Sequence, residues 1–411
     1  MSSSQNPNTV VIIGALDTKG AEFAFVKGLI ESEGVDTLVV DFGTMGEPTL
    51  EPDVTREEVA SAADGDISYL ASGEHKDEAM QTMATGLAVV VRRLYEEGRL
   101  GGIIGMGGTG GTSIATTGMR VLPVGVPKVM VSTVAGGDVS AYAGTRDITF
   151  IPSIVDVAGI NSISRAVYSN AAGAIAGMVK LERPPAGEER PLVTASMFGN
   201  TTTCVERARG AVEAGGYEVL VFHATGIGGR TMESLIADGY IAGSLDITTT
   251  ELADWVCGGV FSAGPERCQA ASGAGIPAVV VPGCVDMANF DSIDTVPERY
   301  AGRNLYQWNP NVTLLRTNVE ENVRIGEILA AAVNLSNAPT TVLLPMRGVS
   351  MLDSEGERFW DPEADQACFD AIRGNLRADV AVHEVDSNIN DPEFADLAAG
   401  TLLEMLRDAG G

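Results

Sequence analysis

Positive charge is what this sequence has little of. Against 55 Asp and Glu stand 27 Lys and Arg, a formal net charge of −28 over 411 residues. Only five of the cations are lysines, Lys19, Lys27, Lys76, Lys128 and Lys180. A field of this sign repels phosphodiester backbones and anionic lipid, which argues against nucleic acid and a membrane surface as partners. It still permits one small anion in a local site, because backbone N–H groups can supply the positive potential there. Acid-rich, Lys-poor composition is also what a halophilic protein shows, since salt screens dense surface carboxylate.

Other absences narrow the chemistry further. With three histidines, His75, His223 and His383, a metal site built from imidazole is not expected. The five cysteines, Cys204, Cys257, Cys268, Cys284 and Cys368, are odd in number and contain no C-x-x-C pair. Free thiols in a reducing cytoplasm are the simplest reading. The first eight residues lack the charged-then-apolar pattern of a secretion signal, and no apolar run approaches the length of a membrane helix. A cytoplasmic location is therefore expected.

What is abundant is apolar residue, 45%, and glycine, 49 residues. The length suits two domains rather than one core. Short apolar runs alternate with helical stretches: Thr9 to Ile13, Val35 to Val40, Gly102 to Gly105, Val129 to Thr133 and Ile148 to Ile151 read as strands. The charged, Pro-rich stretch from Lys180 to Pro191 reads as a linker. The alternation then resumes with Leu192 to Met197, Val219 to His223, Gly243 to Thr248, Ala278 to Val281, Val312 to Arg316, Thr341 to Leu344 and Val380 to Val385. Strands alternating with helices predict βαβ units. The expected fold is α/β, two Rossmann-like doubly wound domains with mainly parallel sheets, residues 1–183 and 190–411.

The strongest local signal is Gly105-Met106-Gly107-Gly108-Thr109-Gly110-Gly111-Thr112-Ser113, which follows a strand and opens a helix. Glycines at 107, 108, 110 and 111 let successive N–H groups turn toward an anion, and the helix adds its positive end. Thr109, Thr112 and Ser113 add hydroxyls. The motif is neither a Walker loop nor a regular G-x-G-x-x-G. The first strand runs into Gly14-Ala15-Leu16-Asp17-Thr18-Lys19-Gly20, where Lys19 could meet a phosphate and Asp17 could hold Mg²⁺ through water or bind a ribose hydroxyl. Asp17 capping a helix beside a solvated Lys19 is the equal alternative. Asp41 ends the second strand at the place of a ribose-binding acid. Thr133, Gly136 and Gly137 belong to a further strand-end loop. In the second half, His223 and Arg230 bracket a Gly-rich strand–helix turn that reads as an anion site. Cys284, Asp286, Arg347, Ser350 and Asp353 lie on two more strand-end loops. His223 could act as a base and Cys284 as a nucleophile, with packed structural roles as the alternatives.

Taken together, GALDTKG, GMGGTGGTS, STVAGGD, HATGIGGR, LPMRGVSMLD, DPEAD and NINDPEFAD, collinear from Val10 to Met405, resemble the Tm-one-like ATP-binding-domain family. This is an uncharacterised protein family whose best-known relative is the inhibitory domain of a plant tobamovirus-resistance protein. The resemblance implies two Rossmann-like domains, ATP bound in the first, and a homodimer. The residues 107–113 and 17–19 are then the expected nucleotide contacts. One departure is Gln307-Trp308-Asn309-Pro310, where relatives often carry His before Asn-Pro, so any chemistry that depends on that His is missing from this chain. The plant protein's antiviral role is one member's use of the scaffold. Three functions stay open: ATP binding, an enzyme for a small carboxylated or phosphorylated metabolite in a cleft between domains, and a non-catalytic interaction scaffold.

Overall fold

The computed structural model describes residues 8–73, 75–182 and 190–409. The chain forms two compact units, Met1–Pro185 and Ala186–Gly411. Most of the stretch read as a linker, residues 183–189, lies outside the described residues.

The first unit is built on five strands, β1 (Thr9–Gly14), β2 (Asp36–Asp41), β3 (Gly102–Gly107), β4 (Lys128–Ser132) and β5 (Thr149–Pro152). They lie in the order β2-β1-β3-β4-β5, every pair parallel. Side chains of a strand alternate between faces, and both faces here are covered, so the strands read as unbroken apolar runs. Val10 and Ile12 pack with Phe23, Val26, Tyr168 and Ile175, from helices Leu16–Ser32 and Ser162–Lys180. Val11 and Ile13 pack with Met83, Leu87, Ala115 and Met119, from helices Lys76–Glu96 and Thr109–Arg120. The chain leaves β1 toward one edge and β3 toward the other. The helices that follow therefore fall on opposite faces, and the C-terminal ends of β1 and β3 form the topological switch point of the sheet.

The second unit repeats this winding. Its parallel sheet contains β6 (Leu192–Met197), β7 (Glu218–His223), β8 (Ile241–Thr248), β9 (Ala278–Gly283), and later β13 (Thr340–Pro345) and β14 (Ala381–Val385). The order is β14-β13-β9-β8-β6-β7. The fold is thus α/β with two parallel sheets of five and six strands, as the sequence predicts.

One part differs from the sequence reading. Between β9 and β13 the chain makes an antiparallel ribbon of β10 (Met287–Phe290), β11 (Leu305–Asn309) and β12 (Val312–Arg316), ordered β10-β12-β11. Val312–Arg316, expected in the parallel sheet, is the centre of this ribbon. Gln307-Trp308-Asn309-Pro310 is the end of β11 and the start of the tight turn into β12, where the Asn311 N–H donates to Asn309 Oδ1 at 2.8 Å. Its strand is half-exposed, so it carries no apolar run to announce it.

Candidate functional site

In the first unit the Gly-rich turn lies at the end of β3, at this switch point. Gly108 is the N-cap of helix Thr109–Arg120, with extended backbone (φ −79°, ψ −166°) and no side chain to cap the helix. The first intrahelical bond runs from Thr112 N–H to Gly108 O at 2.8 Å. The N–H groups of Thr109, Gly110 and Gly111 precede it and find no acceptor among the described residues. They are the unpaired donors every helix start leaves, here uncovered. A Cβ on Gly108 would come no closer than 3.7 Å, to Thr133 Oγ1, so the space in front of the turn is open. Thr109 and Ser113 are exposed. Thr112 is not available to a ligand: it is buried, and its hydroxyl is 2.6 Å from that of Ser132. Ser132 opens the STVAGGD loop, but nothing in the sequence tells that its hydroxyl turns inward to Thr112 rather than toward a ligand.

Beside the turn is a cleft of about 540 Å³ lined by Thr133, Gly136, Pro152, Ser153, Ile154, Val155 and Asp156. It joins the turn through Thr133, whose N–H donates to Gly107 O at 3.2 Å. Thr133 and Gly136, expected at the site, line this cleft; Gly137 is exposed on the same loop. The wall from Pro152 to Val155 carries no motif, so sequence reasoning missed it; Asp156 reads in the sequence as a capping or surface acid.

The residues after β1 do other work. One Asp17 oxygen accepts the N–H groups of Met45 (2.7 Å) and Gly46 (3.1 Å), fixing the loop after β2, while its Oδ1 is buried without a partner. Asp41 is fully buried, and its Oδ1 accepts Leu16 N–H (3.0 Å) and Gly43 N–H (2.8 Å). Burial pushes the Asp41 carboxyl above its ordinary range against those two bonds. It ties β2 to the first helix and presents nothing to a ribose. Gly14 is filled from the other side, since a Cβ there would meet the Phe23 ring. Thr18 is exposed and bonds only to its own helix start. The Lys19 ammonium donates to the carbonyl of Val157. It therefore tethers the segment after β5.

In the second unit the candidates separate into two sets. His223 and Arg230 are exposed, His223 with its ring 5.4 Å from that of Phe198, and Arg347 is exposed and paired with Asp386 at 2.7 and 3.0 Å. Cys284, Asp286, Ser350 and Asp353 are buried. The turn Gly226–Gly229, expected to bind an anion, already holds one. Its Gly226 and Gly229 N–H groups donate to Glu251 Oε1 at 2.6 and 3.1 Å, and a Cβ on Gly229 would lie 2.1 Å from the Glu251 carboxylate. Arg230 is exposed beside this filled turn. Glu251 in turn meets Arg267, which is also bonded to Asp246 and Glu233, all at 3.0 Å or less. Arg267 is 1% exposed.

Cys284 is fully buried, a setting that suits a packed structural thiol. Burial pushes its thiol well up, adding to the charge of Asp286, so the thiolate is suppressed. The structure does bring Asp286, Ser350 and Asp353 together. Ser350 Oγ donates to Asp286 Oδ2 at 2.8 Å and accepts the N–H groups of Leu352 and Asp353 at 3.0 and 3.1 Å. Arg316 and Asp365, the last residue of the DPEAD motif, complete the group, a placement the sequence does not show: Arg316 lies 2.7 Å from Asp365 and 3.5 Å from Asp353. Three buried carboxyls thus face one guanidinium. Burial, then the charge of Asp353, pushes Asp286 up to about 7 despite Arg316. Burial and Asp353 likewise drive Asp365 upward. All three carboxyls are buried, and the outer oxygens Asp286 Oδ1 and Asp353 Oδ1 have no hydrogen-bond partner among the described residues.

Geometry and topology define a two-unit, doubly wound α/β protein whose first sheet presents an uncovered Gly-rich helix start at its switch point. The chain belongs to the UPF0261 family: residues 8–184 match the N-terminal and residues 190–406 the C-terminal domain of the Uncharacterised protein family (UPF0261). It is 50% identical to a UPF0261 protein of Clostridium tetani over 97% of this chain and 98% of that one. It is 37% identical to the ToMV susceptible protein tm-1 of Solanum lycopersicum over 99% of this chain, spanning 57% of the tomato protein. The ToMV resistance protein Tm-1 of the same plant is also 37% identical, over 98% of this chain and 56% of its own length. The family resemblance read from the seven motifs is borne out. Among solved structures, UDP-N-acetylglucosamine 2-epimerase from Rickettsia bellii aligns over 97% of this chain and 96% of its own, at 10% identity and a TM-score of 0.23. UDP-GlcNAc 2-epimerase from Neisseria meningitidis covers 66% and 82%, at 9% identity and a TM-score of 0.23. Superpositions this loose carry no functional argument. No helix among the described residues is long and apolar enough to cross a membrane.

Proposed function

We propose that the first unit binds a nucleotide, ATP, with its phosphates on the backbone N–H groups of the turn 107–113. The observation that carries this is the set of unpaired, uncovered N–H groups at Thr109, Gly110 and Gly111, at the switch point where doubly wound sheets take ligands. Helix start and open N–H donors supply positive potential that the −28 chain otherwise lacks. Support for this reading comes from the unpaired donors and from the free space beside Gly108, where a Cβ would meet nothing closer than 3.7 Å. Among the described residues no cluster of three or more His, Cys, Asp or Glu could hold a metal ion by itself. Mg²⁺ would therefore arrive on the phosphates and lower their repulsion from this chain. Calorimetric titration of the purified full chain with Mg–ATP tests the reading. Saturable binding is expected; absence of heat at millimolar nucleotide, across two temperatures, would remove it.

A further inference from the structure

The strap that follows β13, Arg347 to Asp353, ties together the C-terminal ends of four strands of the second sheet. Cys284 N–H, after β9, donates to Val349 O at 2.8 Å, and Met351 N–H donates to Asn200 O, after β6, at 3.0 Å. The Asn388 amide nitrogen, after β14, lies 3.2 Å from the carbonyls of Arg347, Ser350 and Asp353. Two positions are bent against preference. Cys284 holds φ +56°, and Gly348 holds φ +116°, where a Cβ would collide with Asp353 O. Strain of this kind persists only where the surroundings over-determine it. The strap also grips the buried carboxyl group. Its Ser350 hydroxyl donates to Asp286 Oδ2, and its Val349 N–H donates to Asp353 Oδ2 at 2.9 Å.

Charge and hydrogen bonding both require protons there. Asp286, Asp353 and Asp365 as carboxylates, with Arg316, would sum to −2, and two protons make the group neutral. None of the four residues exceeds 4% exposure, so water does not offset an imbalance. Asp286 Oδ1 has no donor, and Asp353 Oδ1 has only the 3.5 Å ion pair with Arg316. A proton on either oxygen supplies a missing donor. Facing Asp286 are Asp353 and Ser350 of the strap, Arg316 of β12, Asp365 and Cys368 of helix Pro362–Asn375, and Cys284 of its own loop, with Cys204 of helix Thr202–Ala214 next to Cys284. Burial pushes all three thiols up, so they stay neutral. We propose that Arg347–Asp353 is a proton-controlled latch: a proton on Asp286 holds it shut over these strand ends, and loss of that proton lets it open. Strand C-terminal ends are where doubly wound sheets take ligands, so the latch controls access to the second unit's own ligand face. The sign follows from the cluster. Burial, then Asp353, pushes Asp286 up to about 7, against an ordinary aspartate near about 4. The shut strap binds the proton more tightly than an open, hydrated one. Closure is therefore strongest below about pH 4 and weakens as pH rises to about 7.

Hydrogen–deuterium exchange on the full chain at pH 5.5 and pH 8, corrected for the intrinsic pH dependence of exchange, reads the latch. The amides of Val349, Met351, Leu352 and Asp353 report the strap, and those of Val193 to Ala195 report β6, held between β7 and β8. Wild-type strap protection should fall between the two pH values by at least about tenfold more than that of β6. Asp286→Asn carries an amide where the protonated carboxyl stands, so its strap should stay protected at both. Ser350→Ala removes the hydroxyl that Asp286 holds, so its strap should exchange fast at both. If wild-type strap and β6 lose protection together, the pH effect is global and there is no latch. If the strap keeps its protection at pH 8, or if Asp286→Asn keeps the wild-type pH dependence, a proton on Asp286 is not what holds it. Should either variant fail to fold, the wild-type comparison of strap with β6 decides alone.

Discussion

Gly108→Asp separates binding from folding. The position is an N-cap with extended backbone, φ −79°, which any residue adopts, and a Cβ there meets nothing closer than 3.7 Å. Aspartate is among the best N-caps, and its carboxylate can accept the open N–H groups of Gly110 or Gly111. The cap gains a few tenths of a kcal/mol over glycine, and the charge at a helix N-terminus adds about 0.3–1 kcal/mol. The variant should therefore be as stable as wild type or more so, by up to about 1 kcal/mol. The same carboxylate occupies the donors proposed for phosphate and opposes a polyanion at contact distance. Affinity for Mg–ATP should drop at least about tenfold, equivalent to roughly 1.4 kcal/mol. Urea unfolding and calorimetry on the same preparation read both quantities. A variant that keeps wild-type affinity would refute the reasoning, because the N–H groups would then not be the phosphate site. A variant that is destabilised by more than about 1 kcal/mol would refute the structural premise that the turn is open.

Other perturbations follow from the same contacts. Arg267→Met leaves Asp246, Glu251 and Glu233 without their cation, and stability should fall by about 3–5 kcal/mol in denaturant unfolding; a loss under about 1 kcal/mol would show that those carboxyls are already neutral. Thr112→Val removes the buried hydroxyl facing Ser132 and should cost about 1–3 kcal/mol, with little change in nucleotide affinity if Thr112 is structural. Asp286 and Asp254 are both pushed up to about 7 by burial. Each holds in the folded state a proton that the unfolded chain releases near pH 4, so their stabilising effect is present at low pH and is lost as pH rises toward and through 7. The melting temperature should be lower at pH 8 than at pH 5.5, and this difference should persist in roughly 1 M KCl, which screens surface charge but not buried groups. Asp286→Asn should flatten that dependence; a melting temperature that rises between the two pH values would sink the assignment.

The architecture was legible because it rests on pattern. Val10 to Ile13 and Ile103 to Ile104 are covered on both faces, so their apolar runs stand out. The ribbon strand Leu305–Asn309 was missed because one-sided, half-exposed strands have no such run. At the site, the glycines announced a turn, but the sequence could not say which polar groups meet which. Asp41 and Lys19 sit at strand-end positions typical of ligand contacts, yet a bond 25 residues away in the chain commits Asp41 to Leu16 N–H, and one 138 residues away commits Lys19 to Val157 O. Ile154 gave no signal at all, because positive φ in a β-branched residue is imposed by tertiary contacts and leaves no trace in composition.

The two Gly-rich turns make the sharpest comparison in the molecule. Both follow a parallel strand and both start a helix: Gly107–Gly111 after β3, and Gly226–Gly229 after β7. In sequence they are near equivalents, and each reads as an anion site. In the second unit the reading of the backbone is right and the inference to a ligand is wrong, since Glu251 supplies the anion from within and Arg267 fixes it there. That turn shows what such a backbone does with a carboxylate at 2.6–3.1 Å. The first turn offers the same kind of donors, and among the described residues no side chain fills them. Gly108→Asp would build into the first unit what Glu251 already does in the second. If nucleotide binding survives that change, donors of this kind are not what holds a phosphate in this protein.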